Sequence, residues 1–201
     1  LNLPAKLQIS SLACLHDQSF YVFGLFTDTI NLGKEKFISK GKEDIIVGRM
    51  NAWGDWIWVK QLGSPQRDLP GEVAVRGFDA VITGCIGGAF TYDGYTYGNY
   101  SNVDLFVAKL KSDGALTKIS IAQNDSNHLP SRNGIGTEVS ISSNGNIFVL
   151  AQIGPNMKFA NLTLPGQFPG SDPDFPQYGH VQAFFKLDSE LNGLWVGQYS
   201  R

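Results

Sequence analysis

Asp44-Ile-Ile-Val-Gly-Arg-Met50 returns sixty residues later (104 − 44) as Asp104-Leu-Phe-Val-Ala-Lys-Leu110, and a third, shortened copy reads Ala183-Phe-Phe-Lys-Leu-Asp188. Superposed, the copies place Arg49, Lys109 and Lys186 in register. Each is a continuous apolar run of strand length, rich in Val, Ile and Phe, as expected of a strand buried on both faces. Self-similarity at a period near sixty residues marks a repeat architecture, so the rest of the chain is read outward from these segments.

Downstream of each copy lies a polar turn and then another apolar strand: Asn51-Ala-Trp-Gly-Asp-Trp-Ile-Trp-Val-Lys60, Ser112-Asp-Gly-Ala-Leu-Thr-Lys-Ile119 and Asn192-Gly-Leu-Trp-Val-Gly-Gln-Tyr199. Upstream, Phe20-Tyr-Val-Phe-Gly-Leu-Phe26, Ala80-Val-Ile-Thr-Gly-Cys-Ile86 and Ile147-Phe-Val-Leu-Ala-Gln-Ile153 align, with Gly24, Gly84 and Ala151 at one position. A shorter strand precedes each: Leu7–Leu12, Glu72–Val75 and Glu138–Ser142. Ser143-Asn-Gly-Asn146 predicts a type I′ hairpin turn, since Asn-Gly accepts positive φ at both central positions.

Each unit therefore reads strand, turn, strand, long loop, strand, turn, strand. The fold expected is all-β: three four-stranded antiparallel blade-like units of β-propeller type in one repeat domain, 1–201, with blades over about 7–66, 71–133 and 136–201. Val47, Val107 and Phe185, with Val22, Val81 and Val149, are the expected core positions of three separate sheets. Trp56 and Trp58, two apart on one strand, are expected on a single face packed against the next blade, with Trp53 exposed in the turn.

Composition agrees with this reading. The 201 residues hold 23 Gly and 12% aromatics, which suit short strands and tight turns, and lack the Ala/Leu/Glu/Lys runs of helices. With 16 basic and 18 acidic residues the net charge is −2, so no global field draws nucleic acid. The run Lys34, Lys36, Lys40, Lys42, interleaved with Glu35, Glu43 and Asp44, reads as a solvated hairpin. No apolar stretch approaches the roughly 20 residues of a membrane-spanning helix, and no membrane insertion is expected. The sequence shows no signal peptide, and with Leu1 first it reads as a processed or partial product. Cys14 and Cys85 sit in apolar runs at non-equivalent points of the repeat and read as buried thiols.

The alternation of a Val-x-Gly strand, a long loop, Asp-Ile/Leu-Phe-Val-Ala-Lys-Leu, an Asp-Gly or Asn-Gly turn and a Trp-containing strand resembles the bacterial SBBP-type β-propeller repeat. Asp104 to Leu110 with Ser112-Asp-Gly114 matches best, and Trp56-Ile-Trp58-Val-Lys60 matches the fourth strand. The resemblance covers almost the whole chain. It departs in the third unit, where the Asp before the Phe-rich strand is replaced and a proline-rich loop is inserted. It implies the fold and an extracellular or cell-surface setting, with no catalytic residues to carry over.

Two loops offer binding residues. Tyr92, Tyr95, Tyr97, Tyr100 and Asp93 lie among Gly, Asn and Thr between the second and third strands of the second unit; flat rings with polar tips suit a surface glycan or a partner protein, the alternative being that they cover the blade edge and pack on a neighbour. In the proline-rich insertion of the third unit, Phe168, Phe175 and Tyr178 are candidates for a partner interface. His16, His128 and His180 share no metal-ligand spacing, and Asp172 with Asp174 carries no calcium-loop pattern. No cofactor, metal or catalytic residue is expected.

Three blades fall short of the about four to eight of a closed ring, so the fold is expected to be partial or completed by other chains. Self-association or further blades of a longer parent chain would complete it. The function expected is that of a non-catalytic extracellular or cell-surface structural or adhesion module, such as an appendage or filament subunit. The alternative is a carbohydrate-binding lectin that uses the tyrosine-rich loop.

Overall fold

The computed structural model describes residues 4–98, 103–124, 134–154, 157–164 and 181–199, and each described element is a β-strand. Numbered along the chain, β1 (Leu7–Cys14), β2 (Phe20–Phe26), β5 (Asp44–Met50) and β6 (Trp56–Leu62) form the first sheet in that order. The second joins β7 (Leu69–Arg76), β8 (Asp79–Ile86), β11 (Asp104–Leu110) and β12 (Leu116–Ile121). The third joins β14 (Ile135–Ile141), β15 (Ile147–Ile153), β18 (Val181–Leu187) and β19 (Gly193–Tyr199). These are three four-stranded antiparallel blades in a propeller-like arrangement. Between the second and third strands of each blade lies a short hairpin: β3 (Thr29–Leu32) with β4 (Glu35–Ile38), β9 (Phe90–Tyr92) with β10 (Tyr95–Tyr97), and β16 (Met157–Phe159) with β17 (Leu162–Thr163). A two-residue strand, β13 (Gln123–Asn124), pairs with β16.

The repeat extends to irregularities. The pairing of third with fourth strand slips at Arg49/Met50, Lys109/Leu110 and Lys186/Leu187, and that of first with second at Ile9/Ser11, Pro70/Val73 and Gly136/Glu138. Such bulges sharpen twist and re-aim side chains. The one in β6 corrects the reading of the tryptophans. Trp58 lies opposite Arg49 and Trp56 opposite Met50, neighbours on β5 that point to opposite faces. Trp58 therefore packs toward the second blade, while Trp56 joins the cluster under the β3–β4 hairpin. Trp53, in the turn, is 85% exposed as expected.

All but one of the turns between strands of a blade share one geometry, β7–β8 closing instead on the two-residue turn Gly77-Phe78. Ser142 N–H donates to Asn146 O and Gly145 N–H to Ser142 O, and the same pair of bonds recurs at Leu15/Ser19, Asn51/Asp55, Lys111/Ala115 and Asp188/Asn192. The single left-handed residue is Gly145, Gln18, Gly54, Gly114 or Leu191. The Ser143–Asn146 turn is thus a type I turn closed by one left-handed residue, not the type I′ turn expected. Genuine positive φ at both central positions occurs instead at Asp93-Gly94 and Ala160-Asn161.

Alternation along each strand sends one set of side chains toward the preceding blade (the leading face) and the other toward the next (the trailing face). The trailing face of the first blade (Tyr21, Phe23, Ile45, Val47) packs on the leading face of the second (Ile82, Phe106, Ala108, Leu110). The trailing face of the second (Val81, Leu105, Val107) packs in turn on Val149, Ala151, Ala183 and Phe185 of the third. All six expected core residues, Val22, Val47, Val81, Val107, Val149 and Phe185, are buried. Strand pairing shows that the third-blade equivalent of Val47 and Val107 is Phe184, one residue before Phe185, because Lys186 aligns with Arg49 and Lys109.

Each hairpin lies along the leading face of its own blade. Ile30, Leu32 and Phe37 cover Phe26, Ile46 and Val59 of the first blade. Phe90 and Tyr92 fill the seam between the first and second blades, and Met157 and Phe159 that between the second and third. Lys34, Lys36, Lys40 and Lys42 are exposed as expected of a solvated hairpin, yet the other side of β3–β4 is core and Asp44, read as solvated with them, is buried at the start of β5. No disulfide joins the cysteines: Cys85 is buried, whereas Cys14 is exposed on the leading face of the first blade, contrary to the reading of two buried thiols. Among the described residues no helix is long and apolar enough to cross a membrane.

Candidate functional site

The tyrosine hairpin is in large part structural. Tyr92 is buried, and its hydroxyl donates to Gly114 O at 2.6 Å. Burial pushes its phenol far above the usual range, so it stays a neutral donor. Tyr97 is half-buried and stacks on Phe90 with ring centroids 5.5 Å apart. Asp93 pairs with Lys60 Nζ at 2.8 Å, and that ammonium lies 5.8 Å from the Tyr92 ring centroid. The hairpin thus ties the fourth strand of the first blade to the second blade. Tyr95 alone of these three rings is well exposed, at 70%. The structure corrects Tyr92 from a ligand-facing ring to a core residue, since the alternation that exposes Tyr95 turns Tyr92 inward. Tyr100, Phe168, Phe175 and Tyr178 lie outside the described residues, as do His128, His180, Asp172 and Asp174.

Buried carboxylates occur near the junction of the first two blades. Asp68 accepts Ser64 N–H at 2.7 Å, the Ser64 hydroxyl at 2.8 Å and Gly87 N–H at 2.7 Å. Burial pushes its carboxyl up to about 6 despite these donors, and the charge of Asp44 acts in the same direction. Asp44, raised chiefly by burial, accepts Lys40 N–H and the Gln61 amide. Asp68 thus staples the linker between the first two blades to Gly87, while Asp44 ties Lys40 and Gln61 together within the first blade. Among the described residues no group of three or more His, Cys, Asp or Glu is arranged to hold a metal ion.

The feature without a structural role inside the chain is the trailing face of the third blade. Phe148, Phe184 and Trp195 are 38%, 48% and 45% exposed, with half-buried Leu150 among them. Together with Glu138 and Ser140 they line an open trough of about 470 Å³. Lys186 Nζ lies 5.8 Å from the Phe148 ring centroid at its edge. Contiguous apolar surface of this kind on a folded chain marks an interaction site. The sequence reading missed these residues. The signal lay in the register itself: Arg49, Lys109 and Lys186 aligned makes Phe184 the counterpart of two interface valines.

The chain matches no protein-family model and no curated protein.

Proposed function

We propose that the chain is a non-catalytic structural or adhesion module of SBBP-like β-propeller type, acting at the cell surface through protein–protein contact. The observation that supports this reading is the uncovered aromatic face formed by Phe148, Phe184 and Trp195. Aromatic rings on a flat, pre-formed sheet supply large contact area at low entropic cost, and such rings dominate binding energy at protein interfaces. The carbohydrate-binding alternative draws less support, because Tyr92 is core and Tyr97 is stacked on Phe90, leaving Tyr95 as the well-exposed ring of the described hairpin. Cross-linking on the source cell, read by recovery of bound proteins, tests the reading. Protein partners lost on Phe184→Asp are expected. Strong hits on a glycan array that vanish with Tyr95→Ala, with no protein partner recovered, would reverse the choice in favour of a lectin.

A further inference from the structure

Resting on the reading of that face as a protein-binding surface, we infer that its partner is a second copy of this chain, docked by the leading face of its first blade, so that two chains close head-to-tail into a six-bladed ring. Both halves of the contact are in hand, because the chain already makes this interface twice internally.

The apolar halves correspond position by position. Strand pairing makes Phe148, Leu150, Phe184 and Trp195 the equivalents of Tyr21, Phe23, Val47 and Trp58. Those four residues of the first blade contact the second blade, and Tyr21, Phe23 and Val47 are fully buried there. On the other side, Leu12 and Cys14 of β1 correspond to Val73 and Val75 of β7, since Leu12 pairs with Val22 as Val73 pairs with Ile82. Val73 is buried against the first blade, whereas Leu12 is exposed.

Three polar contacts follow the same rule. A cation on the third strand donates to the second residue of the next blade's turn: Arg49 to Ser112 O, and Lys109 to Ser189 O. The register carries this to Lys186 and Ala52 O of the second copy. The indole of Trp58 also donates to Ser112 O, at 2.8 Å, with its ring against Gly114. Trp195, opposite Lys186 as Trp58 is opposite Arg49, would reach Ala52 O and lie on Gly54. On the first strands, Ser11 Oγ accepts Val73 N–H and Glu72 Oε2 accepts Val139 N–H. Glu138 would accept Leu12 N–H in the same way. Trp53, in the turn that receives Lys186 and 85% exposed in the single chain, gains a neighbour. Two chains of three blades make six, within the range of about four to eight blades at which propellers close. A head-to-tail contact that closes forms a ring rather than a fibre.

The test is analytical ultracentrifugation of the full chain, with Trp53 fluorescence and maleimide labelling of Cys14 as local readouts. A species of twice the 22.0 kDa chain mass is expected, with blue-shifted tryptophan emission and slowed Cys14 labelling relative to a dissociated control. Phe184→Asp and Leu12→Asp each change an exposed side chain, so each is expected to fold, checked by near-UV circular dichroism, and to sediment as a monomer. Mixed together they retain one intact interface, and an open dimer should reappear. A monomer with freely labelled Cys14, an unlimited series of sizes, or no rescue on mixing overturns the proposal. A hydrophobic dye separates the failures. A monomer that binds it retains the face for a different protein and loses only the second copy, while one that does not bind it loses the protein-binding reading as well.

Discussion

At the scale of single residues, glycine is required where a backbone or a neighbouring blade approaches a strand too closely for a Cβ. Where the second strand passes the bulge of the first, Gly24 faces Ile9 and Gly84 faces Pro70; a Cβ on either would come 2.3 Å from a backbone carbonyl, Gln8 O or Leu69 O. In the third blade the second strand carries Ala151, and Gly136 opposite it is required by the second blade instead, since a Cβ there would run into the Thr83 side chain. The sequence alignment of Gly24, Gly84 and Ala151 showed the position but not which neighbour demands the glycine, because that neighbour is visible only once strands are paired and blades are packed. Gly24→Ala and Gly84→Ala should each cost about 1–3 kcal/mol by overpacking, measured by urea denaturation. A neutral result would mean that the first strand moves aside without loss.

Asp68 gives a second residue-scale prediction. Its native carboxyl titrates near 6, against about 3.9 in an unfolded chain, so between those values the folded state holds the extra proton. Its contribution is therefore greatest below about pH 4 and falls as pH rises through 6. Asp44 shifts in the same direction; Asp17 and Asp188, lowered by hydrogen bonds from Ser19 and Asn192, favour the fold above their own range. The unfolding free energy from urea titration should fall from pH 5 to pH 7 by an amount on the order of 1–3 kcal/mol, and Asp68→Asn should flatten the slope. A midpoint rising over this interval would show that Asp68 is ionised throughout.

At the scale of elements, the hairpin inserted into each blade carries its own share of the core. The lysines of β3–β4 read as solvated and the tyrosines of β9–β10 as either ligand-facing or packed on a neighbour; Leu32, Phe37, Phe90 and Tyr92 are buried. Two-residue alternation exposes one side of a hairpin while seating the other, and a loop too short to pattern clearly hides which is which. Tyr92→Phe removes the donor to Gly114 O and should cost about 1–2 kcal/mol, whereas Tyr95→Ala should stay within about 0.5 kcal/mol. Chemical denaturation of the two variants side by side checks this. Equal losses would mean that Tyr95 packs on something in solution.

At the scale of the whole molecule, the stability of the single, dissociated chain should be graded by how many faces a blade has covered. The second blade lies between two others, and Leu105, Phe106, Val107 and Ala108 of β11 are fully buried from both sides. Amide exchange should be slowest in β8 and β11 and faster in β19, an edge strand of the third blade. Protection of β19 equal to that of β11 would argue against this gradient.

The sequence alone determined the blades. Sixty-residue self-similarity, apolar runs and turn residues are local or periodic quantities, and they specified the strand order of all three sheets. The direction in which Trp56 and Trp58 point, the core role of Tyr92 and the exposure of Phe148, Phe184 and Trp195 were decided by tertiary structure. A one-residue bulge inverts every side chain beyond it, and an apolar residue on a strand looks the same in sequence whether or not another blade lies against it.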